Sequence, residues 1–127
     1  MKKLKVYLYR NCDGCRRAVK WLRERGVGFE EIPVRESPPE PAELRAALEA
    51  VGGNRRRLFN VAGRDYRAMG LSEKLGALSE DEAIDLLAGN GSLVKRPFVI
   101  EDGGEGVVLV GFDAGEWGRA LGVAGGG

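Results

Sequence analysis

A chain of 127 residues suits one domain and is long enough to bury a core without disulfide staples or a structural metal. Its formal charge of +1, with 43% hydrophobic and 31% charged residues, argues against wholesale disorder and gives no global pull toward nucleic acid or an anionic membrane. With no histidine at all, Ser-His-Asp and Cys-His catalysis and every histidine-bearing zinc site are excluded.

In chain order, Leu4, Val6 and Leu8 alternate with Lys5, Tyr7 and Tyr9, the period of a β-strand. This N-terminal stretch lacks the apolar run and small-residue cleavage site of a signal peptide, and nothing approaches the ~20 apolar residues of a membrane helix. A cytoplasmic location is expected. From Asp13, Ala18, Val19 and Leu22 share one helical face until Gly26 stops the helix. Phe29, Ile32 and Val34 mark a weaker strand beside Pro33 and the Ser37-Pro38-Pro39 turn. A β-α-β crossover would make the two strands parallel.

Glu40 to Val51 carries Leu44, Ala47, Leu48 and Val51 at helical spacing and ends at Gly52-Gly53. Arg64–Met69 and Leu71–Leu75 read as short helices broken by Gly70. Ser79-Glu80-Asp81-Glu82 is a capping box for a helix through Leu87. Phe98–Ile100 and Val107–Val110 read as a hairpin, and Ala114–Leu121 as a last helix. Gly103 to Gly106 is a hairpin turn, not a phosphate loop, since no helix or Gly-Lys-Ser/Thr follows. The fold class is α/β, in the order β-α-β, helices, β-β-α.

Both cysteines of the chain lie in Cys12-Asp13-Gly14-Cys15, where the first strand meets the first helix. With Cys12 near the N-cap and Cys15 one turn on, the sulfurs can reach disulfide distance without moving the backbone. Free helix amides favour a thiolate at Cys12, and Cys15, deeper in the helix, is less activated. Cys12 is therefore the expected nucleophile and Cys15 the resolving thiol. Between Arg10 and Arg25 six basic residues face two acidic ones. Arg16, four residues after Cys12, is expected to help lower its pKa. A closed zinc site would need four ligands, and the chain offers two thiolates and no histidine, so neither a metal nor a bound cofactor is expected.

Leu58-Phe59-Asn60-Val61-Ala62-Gly63-Arg64-Asp65-Tyr66-Arg67, Ser79-Glu80-Asp81-Glu82-Ala83, Leu93-Val94-Lys95-Arg96-Pro97 and Val110-Gly111-Phe112, together with the early C-x-x-C, resemble the arsenate reductase-like family. That family takes in glutaredoxin-coupled arsenate reductases and the Spx regulators, and the likeness covers about residues 4–121. It implies a thioredoxin-like (glutaredoxin-like) mixed sheet with a helical insertion: one domain over 1–127, with its core at 1–36 and 92–122, the insertion at 37–91, and a flexible tail at 123–127. It also implies a cis Pro97 beside the nucleophile and an anion-holding role for Arg96. The family's other two oxyanion-gripping arginines fall near Asn60 and Gly111, which argues against arsenate as substrate. The closer likeness is to the C-x-x-C subgroup usually labelled arsenate reductase-related.

The expected catalytic set is Cys12, Cys15 and Arg96, with Asn11, Arg16, Asn60 and Pro97 contacting substrate. The expected activity is thiol–disulfide exchange in a monomer, with glutathione, glutaredoxin or thioredoxin as electron donor. The alternative is an Spx-like redox switch that binds RNA polymerase rather than nucleic acid directly. Arg55-Arg56-Arg57 with Arg64 and Arg67 is read as a solvated basic face, and the glutamates from Glu30 to Glu49 as solubility and helix-end charge. Trp21 and Trp117 are expected to be partly buried, and Tyr9 to line the site or close the core.

Overall fold

The alternation in the first strand decides the two faces of the sheet. In the computed structural model, which describes residues 3–104 and 106–123, β1 (Leu4–Leu8) sends Leu4, Val6 and Leu8 to one face and Tyr7 to the other. The chain then runs α1 (Asp13–Glu24), β2 (Phe29–Pro33), α2 (Pro41–Ala50), α3 (Arg64–Ala68), α4 (Leu71–Lys74), α5 (Glu80–Gly89), β3 (Phe98–Glu101), β4 (Val108–Val110) and α6 (Ala114–Leu121). The four strands form one sheet in the order β2-β1-β3-β4. β1 and β2 are parallel, in register Val6 with Glu31, and β1–β3 and β3–β4 are antiparallel. This is the mixed sheet expected from the sequence.

α1 and α6 cover one face, where Leu4, Val6, Leu22, Val99 and Leu109 pack with both tryptophans. Trp21 and Trp117 are 4% and 0% exposed, so they are core residues rather than the half-buried ones expected. With Phe112 they form edge-to-face pairs 4.9–6.1 Å apart, which adds a directional attraction to the area each ring buries. The Trp117 indole N–H donates to the Gly111 carbonyl at 3.0 Å. Tyr7, Phe98 and Ile100 point to the opposite face, under the helices between Pro41 and Gly89.

Local signals set several helix ends. Ser79 and Glu82 exchange hydrogen bonds of 3.1 and 2.8 Å as a capping box. Asp113 caps α6 by accepting from the Glu116 N–H. Gly70, between α3 and α4, holds φ +64°, a left-handed conformation costly for any residue with a Cβ. Three 3₁₀ turns, Arg55–Leu58, Leu75–Ala77 and Gly91–Leu93, were not foreseen, because three or four residues show no periodicity. Val34 lies just outside β2, buried, its N–H donating to the Leu8 carbonyl at 3.0 Å. Residues 124–127 of the expected tail lie outside the described residues.

Candidate active site

β1 ends at Leu8, and a short turn closed by the Cys12 N–H on the Tyr9 carbonyl (3.1 Å) delivers Cys12 to the N-cap of α1. There its sulfur accepts the Cys15 N–H at 3.3 Å, taking up one of the amides that a helix start leaves unpaired. Cys12 is half-buried and Cys15 buried, and both are free thiols.

The two thiols are driven apart electrostatically. Burial pushes the Cys12 pKa up, but hydrogen bonds from the Cys15 side chain and amide and the Arg96 guanidinium outweigh it, leaving it below the ordinary thiol value. Cys15 is pushed up to about 12 by burial and by its contact with Cys12, against the pull of a backbone hydrogen bond from Tyr9 and the charge of Arg96. One thiol is thus biased toward its thiolate and its neighbour held as thiol.

Arg96 precedes Pro97, the peptide bond between them is cis, and Pro97 is buried. The loop is clamped by backbone on both sides. The Lys95 N–H donates to the Leu58 carbonyl (2.8 Å), the Asn60 N–H to the Leu93 carbonyl (2.7 Å), and the Gly111 N–H to the Pro97 carbonyl (2.9 Å). Asn60 and Gly111, where the resemblance would put arginines, therefore hold the loop through their main chains. Gly111 stands at φ +78°, and the Asn60 side chain folds over its own turn against Gly63. The Arg96 guanidinium carbon lies 5.1 Å from the Tyr9 ring centre, and its Nη1 is buried without a hydrogen-bond partner.

The structure brings Cys12, Cys15 and Arg96 together, with Pro97 next to Arg96 in the chain. Asn11 stands beside them, exposed, its amide donating to the Tyr9 hydroxyl at 3.3 Å. Arg16 corrects one expectation. Its guanidinium turns to the Arg10 carbonyl (3.0 Å) and the Asp13 carboxylate (3.1 Å), and the guanidinium beside Cys12 is that of Arg96. Tyr9 does line the site. The residue the sequence did not single out is Arg35, whose guanidinium carbon sits 3.9 Å over the same Tyr9 ring. Its only sequence signal was a basic residue next to the buried Val34.

Two other expectations change. Arg55 is no free member of a basic face, since it donates to the Leu75 and Leu78 carbonyls. Glu43, read as one of a run of solvated acids, is 8% exposed and accepts from the Tyr7 hydroxyl and the Lys5 ammonium, each at 2.7 Å. A groove of about 510 Å³ borders Cys15 rather than Cys12, with Leu8 and Val19 in its wall and Arg10 and Lys20 also lining it. Among the described residues no helix is long and apolar enough to cross a membrane.

The ArsC family matches residues 7–120. The uncharacterized protein YusI of Bacillus subtilis is 45% identical over 86% of this chain and 90% of its own length. An arsenate reductase of Neisseria meningitidis is 27% identical over 81% of this chain and 87% of its own. The global transcriptional regulator Spx of Streptococcus pyogenes is 27% identical over 76% and 70%. Among solved structures, an ArsC family related protein from Bacteroides fragilis superposes with a TM-score of 0.84 at 36% identity, covering 93% of this chain and 97% of that one.

Proposed function

We propose that this chain, which belongs to the ArsC family, is a cytoplasmic thiol–disulfide oxidoreductase with Cys12 as nucleophile and Cys15 as resolving thiol. The observation that carries the reading is the opposed tuning of two thiols one helical turn apart. The Cys12 thiolate attacks one sulfur of a disulfide, forming a Cys12 mixed disulfide and expelling a thiolate that takes a proton from water. Bonding neutralises Cys12 and so removes part of what held the Cys15 proton. Cys15 then loses its proton and attacks the Cys12 sulfur, closing the Cys12–Cys15 disulfide and releasing the second thiol. The substrate gains two electrons and the protein loses two. Two glutathione thiols, or one dithiol of a glutaredoxin or thioredoxin, restore them and leave as disulfide.

Arsenate suits this site less well, because of the positions 60, 96 and 111 only Arg96 is charged, and a tetrahedral oxyanion needs several charge-assisted donors. The test is trapping. Cys15→Ser incubated with glutathione disulfide should accumulate a mixed disulfide on Cys12, visible by non-reducing mass spectrometry. Cys12→Ser should form none and should lose reductase activity. If Cys12→Ser reduces disulfides as fast as the unaltered protein, the reading is wrong.

A second reading rests on the Spx relative, as similar in sequence as the arsenate reductase: a redox switch binding RNA polymerase, with the same cysteine pair as sensor. Retention of polymerase that changes between oxidising and reducing conditions, without turnover, would favour it.

A further inference from the structure

Two guanidinium groups share the ring of Tyr9. That of Arg35 lies 3.9 Å from the ring centre and that of Arg96 5.1 Å, so they can be no further apart than those two lengths laid end to end. An aromatic face attracts a cation through its quadrupole, which explains why each lies there. It does not by itself explain why two like charges share one ring. The chain has 19 acidic residues, and some other arginines pair with them: Arg16 with Asp13, Arg23 with Glu31, Arg45 with Glu80 and Asp81. Among the described residues neither Arg35 nor Arg96 has a carboxylate partner. The buried Nη1 of Arg96 has no hydrogen-bond acceptor either, and a desolvated cationic donor left so is costly.

The root of Arg35 is fixed, although its side chain is exposed. Val34, just before it, is 0% exposed and tied to the Leu8 carbonyl. Gly91 packs its backbone against the same spot so closely that a Cβ there would stand 1.7 Å from the Val34 oxygen and 2.9 Å from the Arg35 Cα. Gly91 also opens the 3₁₀ turn leading to Arg96. One backbone-to-backbone contact therefore sets the base of Arg35 and the approach to Arg96. Both side chains then reach the ring of Tyr9, which stands next to the cysteine turn.

We infer that Arg35 and Arg96, laid on Tyr9, form a two-guanidinium clamp for an anionic group carried by the disulfide that Cys12 attacks, which makes Arg35 a specificity-determining residue. The inference rests on the oxidoreductase reading for its substrate, but the clamp itself can be measured without turnover. Its substrate class is a disulfide with a carboxylate near the sulfur. A neutral disulfide would gain nothing from Arg35.

The experiment compares alkylation of Cys12 in the reduced protein by iodoacetate, an anion, and by neutral iodoacetamide, followed by mass spectrometry. Arg35→Ala should slow iodoacetate about fivefold, the loss of one nearby, partly screened charge, and leave iodoacetamide within about twofold. Arg35→Lys should keep most of the preference. An unchanged ratio, or equal slowing of both reagents, overturns the clamp. In parallel, kcat/KM is measured for dithiodipropionate and for bis(2-hydroxyethyl) disulfide with glutathione as reductant. Arg35→Ala should raise KM for the dicarboxylate alone. If the unaltered protein reduces neither disulfide while the alkylation ratio still depends on Arg35, the oxidoreductase reading falls and the clamp stands. If it reduces both and Arg35→Ala changes neither the ratio nor the KM, the clamp falls and the reading stands.

Discussion

Cys12 and Cys15 share one helix end and yet are tuned in opposite directions, and the difference comes from what each sulfur faces. Cys12 is only half-buried and receives the Cys15 thiol and N–H and the Arg96 guanidinium, all of which favour its anion. Cys15 is 2% exposed and faces the developing charge of its partner. Because Cys12 is depressed, its reactivity is kept at pH values where a free thiol of pKa ~8.5 has become protonated, and it is lost only as pH falls through the lowered value. Cys15, at about 12, stays protonated throughout that range and should resist alkylation. Arg96→Ala removes a charge and a donor from Cys12, so the midpoint of its alkylation against pH should move up. kcat/KM for a carboxylate-bearing disulfide should fall about tenfold or more, the size of a charge-assisted hydrogen bond. A midpoint that stays put would dissociate Arg96 from the thiol.

At the scale of elements, β1 and α2 are joined by a polar contact inside an otherwise apolar face. Glu43 accepts from Tyr7 and Lys5 of β1 and, at 3.0 Å, from the Glu40 N–H that starts its own helix. Burial pushes the Glu43 carboxyl up, but these donors outweigh it and hold it below its usual value, while Lys5 is raised. Burial and the Glu43 hydrogen bond push the Tyr7 phenol up to about 12. A depressed acid contributes stability above its unfolded pKa of ~4.3 and loses it as pH falls through the folded value. A raised lysine contributes below ~10.4 and loses it as pH rises; the raised tyrosine acts in the same direction, between about 10 and 12. Thermal stability should therefore weaken at both ends of the pH range. Glu43→Gln should lower stability at pH 7 by about 2 kcal/mol, because it leaves a partly buried ammonium without its counter-charge. It should also flatten the acid limb of Tm against pH. An acid limb as steep as in the unaltered protein would show that Glu43 does not carry it.

Across the whole molecule, legibility followed sequence separation. The strand alternation of Leu4, Val6 and Leu8, the capping box at Ser79 and the C-x-x-C at a strand-to-helix junction are each written within a few residues, and each stands where expected. The misread residues depend on partners far along the chain. Glu43 meets Tyr7 and Lys5 at separations of 36 and 38 residues, Arg55 meets the Leu78 carbonyl at 23, and Arg35, which the sequence did not single out, shares a ring with Arg96. No local pattern distinguishes such a glutamate or arginine from a solvated one. Gly91 is the extreme case: in sequence it is one glycine after the helix through Leu87, and in space it is where the helical segment touches the chain leaving β2. Gly91→Ala would drive a methyl into the Val34 carbonyl and should cost about 3 kcal/mol as the two backbones separate. Its Tm should fall by roughly 10 °C, with the Cys12 preference for iodoacetate reduced as Arg35 moves off Tyr9. Unaltered melting would show that the contact yields freely. Reduced stability with the reagent preference intact would show that Arg35 is positioned by something other than its root.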